Sequence, residues 1–538
     1  MSFIPKMKSL LGSAALLALS AAPGMAQSQL HILHFNDFHS RIESINAFNS
    51  TCSAGDEADG KCFGGAARLF TLINQMRDAI TAEGDPVLVL SAGDSSQGSL
   101  FFTTYGGEAE AHLNNLVQLD AMAVGNHEFD NGPEGLLVFA QSAEYPIVSA
   151  NIDVSGNNLL AGRIVPYAIL NAGDLRVGIV GALTNDTPEI ASPGPTIVFH
   201  DAIESVRASV AELQAQGITT IIALTHVGYI PEQRMAAEVA GLTAVVGGHS
   251  HTYLSASDPR REGPYPTWVD SVSGGIVPVV QAGAYSRYLG HLILDLDAEG
   301  NLIYATGDTI EINSEVTPDP AVAAWVAELA GPIEATRSLV VSAAAAPIEG
   351  DRTVCRQVEC QMGNLVADAM LSRVAGQGIS IAIVNGGGLR ASINEGVVTL
   401  GDVLSVLPFQ NTLATFQLSG ADVIAALENG VSNVAEGAGR FAQVGGLKYT
   451  FDPALAAGSR VSDVMVSTEA GWAPIDPAAT YGVVANDFLR AGGDGYGMFR
   501  DRAINAYDFG PDLADVVAEY LIANQPYTPY TDGRIVRR

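Results

Sequence analysis

Five short apolar runs in this chain each stop on residues able to bind a metal or move a proton. HILHF is followed by Asp37 and His39, and VLVLSAG by Asp94. DAMAVG is followed by Asn126, His127 and Asp130, IIALT by His226, and TAVVGG by His249 and His251. Any one Asp or His in such a place is an ordinary capping or loop residue. Here, however, five of the 10 histidines, His39, His127, His226, His249 and His251, stand just past such runs. Seven of these residues (Asp37, His39, Asp94, Asn126, His226, His249 and His251) exceed what a four-coordinate zinc needs. They suit two ions that share one carboxylate. With Asp94 counted twice, the set offers four protein bonds to each ion. Imidazoles mixed with carboxylates and one amide oxygen favour two divalent ions of the Zn2+ type, with Mn2+, Co2+ or Fe2+ as alternatives, over Ca2+ or Mg2+.

Such residues can converge only if the elements before them run side by side. The apolar runs QLHILHF, PVLVLSA, DAMAV, YPIVSA, RVGIVGA, TTIIALT and LTAVVGG read as strands. AARLFTLINQMRDAI and AIESVRASVAELQAQG read as helices between them. This alternation predicts an α/β fold with parallel strands, and in open sheets of that kind ligands collect beyond the carboxyl ends of the strands. The proline-flanked segment SEVTPDPAVAAWVAELAGPIEATRSLVV predicts a linker helix, with Thr317 or Asp319 near its start. A second region follows from about residue 346, with its own strands and glycine-rich turns, SIAIVNGGGLR, TLATFQLSG, GLKYTF and TYGVVANDFL. A chain of 538 residues exceeds what one hydrophobic core usually organises, so two large domains are expected.

Residues 1–26 place Lys6 and Lys8 before SLLGSAALLALSAA and end on small residues, the layout of a cleavable secretory signal. The apolar part is shorter than the roughly 20 residues needed to span a bilayer, so no membrane anchor is expected. Export, most simply to a bacterial periplasm, suits the four cysteines. Cys52 with Cys62 and Cys355 with Cys360 form two close pairs that predict two local disulfides rather than a four-cysteine zinc site. The net charge of −31 argues against a nucleic-acid polymer or an anionic membrane as partner. An anionic substrate would need local positive charge from metals or particular arginines. The oligomeric state is not readable.

Taken in order, NDFHSR, GDSSQG, GNHEFD, LTHVG and GGHSHT resemble the dimetal metallophosphoesterases, and in particular the 5'-nucleotidase family. That resemblance implies an N-terminal four-layer α/β/β/α calcineurin-like metallophosphoesterase domain over 27–315, a linker helix over 316–340, and a C-terminal α/β nucleotide-binding domain over 341–538. It implies one ion held by Asp37, His39, Asp94 and His251 and the other by Asp94, Asn126, His226 and His249. His127 is similar to the family's catalytic histidine, and Asp130 to the carboxylate that orients it. Glu128 is expected either to face solvent or to stand behind the metal ligands, and Gly125 to let the backbone turn.

The resemblance continues through CRQVECQMGNLVADAM, NGGGLR, LPF, QVGGL and NDFLRAGGDGY. It implies that Phe409 and Phe488 sandwich the base, that Asp494 binds ribose hydroxyls, and that Arg356, Asn385 and Arg390 hold ribose or phosphate. Aromatic faces stack on any base, carboxylates accept from vicinal hydroxyls, and guanidinium groups match phosphate oxygens. A large rotation of the second domain, with helix 318–336 as the hinge region, is also implied. The expected activity is release of phosphate from nucleoside 5'-monophosphates by metal-activated hydroxide. Hydrolysis of UDP-sugars and other nucleotide anhydrides, or of 2',3'-cyclic nucleotides with 3'-nucleotidase action, is the alternative within the family. A non-catalytic nucleotide-binding surface protein is the alternative outside it.

Overall fold

Along the strand Ser28–Phe35, Leu30 and Ile32 point to one face and Leu33 and Phe35 to the other, and all four are buried. Side chains alternate along a strand, so this one must be covered on both sides. In the computed structural model, which describes residues 28–538 apart from 48, 50, 410 and 509, it is the third strand of a seven-stranded sheet. The expected signal, 1–26, lies outside the described residues. From Ser28–Phe35 the strands Val87–Ser91, Ala121–Ala123, Ile147–Val148 and Ile164–Val165 follow in parallel, while Tyr288–Leu296 and Leu302–Glu311 close the other edge antiparallel.

A second sheet of six strands lies against it. Its centre is the parallel set Leu175–Leu183, Thr220–His226, Ala244–Val246 and Ile276–Val280, flanked by the antiparallel strands Tyr167–Ala172 and Thr267–Asp270. Between the sheets Leu30, Ile32, Leu88 and Leu90 pack with Ile179, Ile222, Leu224 and Val246. The outer face of the first sheet is covered by helices Ala66–Glu83, Glu108–Leu116 and Gly132–Ser142. That of the second is covered by Ala202–Ala215 and Tyr229–Glu238. This is the expected four-layer α/β/β/α order. Each buried Leu, Ile or Val contributes roughly 1.5–3 kcal/mol, so the doubly covered strands anchor whatever their ends carry.

Helix Pro320–Arg337 begins where Asp319 accepts hydrogen bonds from the amides of Ala321 and Val322. Proline at the first helical position costs it nothing there, because that amide has no partner within the helix. Val322 and Ile333 pack into the core beneath the first sheet, so the helix rides on the first domain.

The second domain has a five-stranded sheet in the order Ala442–Gly445, Ile381–Asn385, Thr480–Asn486, Leu413–Ser419 and Ile504–Tyr507. Helices Gln361–Arg373 and Leu513–Ala523 cover one face. Helix Gly420–Gly430 and a four-stranded sheet cover the other. Both expected disulfides are present, Cys52–Cys62 and Cys355–Cys360. Among the described residues no helix is long and apolar enough to cross a membrane.

Candidate active site

The carboxyl ends of Ser28–Phe35, Val87–Ser91, Ala121–Ala123, Thr220–His226 and Ala244–Val246 open on one place, and their connecting loops bring the seven expected donors together. Donor atoms of Asp37, His39 and His251 lie within 4.8 Å of one another, as do those of Asp94, His226 and His249. Asp94 joins the two groups. Its Oδ2 is 3.0 Å from His226 Nε2 and 3.8 Å from His39 Nε2. Asn126 completes the second group, with its Oδ1 2.9 Å from His249 Nδ1.

Backbone conformation is unusual here. Asp37, His39, Asp94, His249 and His251, five of the seven donors, have φ between 50° and 76°. Non-glycine residues seldom adopt the left-handed region, and it persists where the surroundings over-determine it, characteristically at functional sites. Gly125 has a different reason for being glycine from the turn expected of it. It is not among the positive-φ residues; instead a Cβ there would stand 2.2 Å from the amide nitrogen of Asp94. What it allows is close approach of two donor-bearing loops.

Hydrogen bonds fix which nitrogen faces the centre for two of the rings. His226 Nδ1 donates to the Ala92 carbonyl at 2.7 Å and His39 Nδ1 to the Gln97 carbonyl at 3.1 Å. A carbonyl oxygen only accepts, so each Nδ1 carries the proton and each Nε2 presents a lone pair. Asp37 Oδ2 accepts from Asn36 and from the His249 amide, while its Oδ1 has no hydrogen-bond partner and faces His251 Nε2 at 3.1 Å. His226 Nε2 is likewise buried and faces the Asp94 carboxylate at 3.0 Å. Such converging, otherwise unsatisfied acceptors fit divalent metal ions.

Burial holds His39, His249 and His251 well below the ordinary imidazole value, helped by Arg390, His226 and Arg352 respectively. They are therefore neutral, as ligation requires. Burial also raises Asp37, to about 6. In the Asp94–His226 pair burial opposes both charges but mutual attraction wins: with no cation before it His226 rises to about 10 and takes a second proton on Nε2, which a bound ion would displace, while Asp94 stays well below the carboxylate range.

His127 stands beside these donors, 5.1 Å from His39 ring to ring. Its Nδ1 donates to Asp130 Oδ2 at 2.7 Å, which leaves Nε2 for a ligand. Burial lowers its pKa, but Asp130 and Asp94 outweigh burial and the net shift is upward. Gln97 Nε2 also donates to Asp130 Oδ2, at 3.1 Å, and so fixes the carboxylate that fixes the imidazole. Glu128 does not face solvent: it is 1% exposed and accepts hydrogen bonds from the amides of Asp94, Ser96 and Gly125. Glu232 plays a similar part behind His249, accepting from the Gly248 amide and the Gln281 side chain.

The second domain closes over this cluster and leaves a cleft of about 1060 Å3. Arg356, Asn385, Arg390, Phe409, Phe488 and Asp494 all line it, on the side facing Asp94, Asn126 and His127. Phe409 lies 5.9 Å from the His127 ring, and the Arg390 guanidinium sits 5.6 Å over Phe409 and reaches His39. Asp494, at φ 54°, accepts from Asn385 Nδ2 at 2.6 Å, and Asn486 in turn donates to Asn385. A Cβ at Gly493 would meet the Phe488 ring at 2.5 Å, so that glycine makes room for the aromatic face.

Sequence reading does not single out Gln97, Arg352 or Glu232. Arg352 lines the cleft one helical turn before Arg356, and the Cys355–Cys360 disulfide closes the loop that carries Arg356. The four-residue spacing in DRTVCR was a usable signal. Gln97 stood inside GDSSQG, whereas nothing local marked Glu232.

Comparison with known proteins agrees with this geometry. Residues 30–253 match the model of the calcineurin-like phosphoesterase family, and residues 339–501 that of the 5'-nucleotidase C-terminal domain. The chain is 37% identical over 544 residues to a 5'-nucleotidase of Homo sapiens, covering 97% of this chain and 93% of that one. It is 37% identical over 530 residues to the snake venom 5'-nucleotidase of Naja atra, covering 94% and 98%. Among solved structures, a 5'-nucleotidase precursor from Thermus thermophilus is similar with a TM-score of 0.89 at 40% identity, covering 95% of this chain and 99% of that one.

Proposed function

The chain belongs to the 5'-nucleotidase family of metal-dependent phosphoric ester hydrolases, and from that premise we propose that it converts nucleoside 5'-monophosphates to nucleoside and phosphate. The observation that supports this substrate is the single cleft that has the donor cluster and His127 on one wall and Phe409, Phe488, Asp494, Arg352, Arg356 and Arg390 on the other. A mononucleotide is the molecule whose parts match that order: phosphate, ribose, base.

In this reading Asp37, His39, Asp94 and His251 hold one divalent ion and Asp94, Asn126, His226 and His249 the other, with zinc as the first choice and Mn2+, Co2+ or Fe2+ able to use the same donors. Ions bound there supply Lewis acidity, lowering the pKa of water and offsetting charge on the phosphate oxygens. His127, held by Asp130 with its pKa raised, donates from Nε2 to a phosphoryl oxygen or to the departing 5'-oxygen. Arg356 and Arg390 hold the phosphate and ribose end, with Arg352 adding positive charge beside them. Phe409 and Phe488 stack on the base. Asp494, steadied by Asn385, accepts from the ribose hydroxyls. Because helix Pro320–Arg337 packs with the first domain, a rotation that opens the cleft would pivot after Arg337 rather than within the helix. We place the protein outside the cytoplasm, a reading supported by its two disulfides.

Consumption of AMP, 3'-AMP, UDP-glucose and cyclic AMP, followed side by side by chromatography of substrate and products, tests the proposal. AMP should be the best substrate; a clear preference for 3'-AMP or UDP-glucose would overturn it.

A further inference from the structure

Glu128 stands next to His127 and two residues past Asn126, yet it does not line the cleft. Its carboxylate is engaged by backbone. Oε2 accepts from the amides of Gly125 at 2.8 Å and Asp94 at 3.1 Å, and Oε1 from the amide of Ser96 at 3.1 Å. The two loops joined in this way are those that carry Asp94 and Asn126. The tie is reciprocal, because Asp94 Oδ1 accepts from the His127 amide at 2.9 Å. Each loop thus supplies a carboxylate to the amides of the other, across a gap that Gly125 keeps narrow enough.

Asp94 needs such support more than the other donors do. Its side chain is close to both donor groups, and its backbone is held at φ 53°, in a region that few non-glycine residues adopt. Bonds from its own amide and from the Ser96 amide bracket that conformation from both sides. Only a carboxylate satisfies all three donors. A glutamine has one oxygen and one NH2 group, and would turn N–H against at least one amide N–H.

We propose that Glu128 is a positioning residue of the metal centre: by pinning the Asp94 and Gly125 backbone, its carboxylate sets the affinity for both ions. This rests on the reading of the seven donors as metal ligands. Groups that orient ligands without touching the metal typically govern 10–100-fold in metal affinity.

The test compares metal-free wild type with Glu128→Gln, both shown folded by circular dichroism, and titrates each with Zn2+ against a chromogenic chelator. At least a 10-fold loss of affinity at both sites is expected, with KM for AMP unchanged because the base and ribose contacts lie in the other domain. Equal affinities, or a loss only in proportion to a lower unfolding temperature, would overturn the proposal. Hydrogen exchange on metal-free wild type is independent of whether the variant folds: the amides of Asp94, Ser96 and Gly125 should exchange slowly, and rates like those of open loops would overturn it. A wild type that binds no Zn2+ would instead overturn the reading of the ligands on which the proposal stands.

Discussion

The two walls of the cleft are built on different principles. On the first-domain wall the donors sit at strand ends, five of seven in left-handed backbone, and buried carboxylates such as Glu128 and Glu232 fasten the loops behind them. On the second-domain wall the lining comes from short segments scattered along the chain. Phe409 comes from a loop and Phe488 from the short helix Asp487–Arg490, Asp494 is held by Asn385, and Arg356 sits within a short disulfide-closed loop with Arg352 just before it. One wall must hold several lone pairs within a few ångströms of each other, whereas the other must offer a face, a carboxylate and positive charge to a flexible organic ligand. Chemistry with narrow tolerance demands a dense, braced structure; recognition with wide tolerance does not.

That contrast can be broken by substitution, and the effects should fall in order. Asp94→Asn should be the most damaging, since it weakens the donor shared by both groups. The loss of AMP hydrolysis should exceed the roughly 100-fold typical of a merely supporting residue, with bound metal falling at both sites and the circular dichroism spectrum retained. His127→Ala should lower kcat by on the order of 10^2–10^4-fold, the usual worth of a proton-transfer group, while metal content and KM stay near wild type. Loss of metal in that variant would move His127 from proton transfer to ligation.

Asp130→Asn should cost less in rate and should change the pH profile in a set direction. Asp130 raises the pKa of His127, so the protonated imidazole persists to higher pH in the wild type. Activity that depends on that proton falls as pH rises through the raised value. Without Asp130 the fall begins at lower pH, and an unmoved alkaline limb would remove the pair from the mechanism. Phe488→Ala, on the tolerant wall, should be the mildest. Losing one stacking face is worth ~1–3 kcal/mol, read as roughly a 10-fold rise in KM for AMP. Hydrolysis of p-nitrophenyl phosphate, which has no base to stack, should hardly change.

The same contrast governs what the sequence made legible. The donors announced themselves because strand ends are sharp features and five of them carry ligating side chains; the layered fold followed from the alternation of the strands. The second domain's residues were visible chiefly through resemblance, since a lone Phe or Arg reads equally well as core or solvated surface. Glu128 was uninterpretable locally because its partners are backbone amides, which have no letter of their own, and the Asp94 and Ser96 amides lie more than 30 residues away. Gly125 misled for a related reason: glycine marks a turn and a close approach with the same letter, and only the neighbouring loop distinguishes them. Glu232 answers to Gly248 and Gln281, which no spacing rule connects to it.

At the centre of the account stands the claim that seven side chains hold two ions that the reaction requires. Titrating chelator-stripped protein with Zn2+ or Mn2+ while following phosphate release from AMP tests it most directly. Activity should be absent from the stripped protein and should rise to a plateau at two ions per chain; undiminished release without metal, or a plateau at one ion, would contradict it.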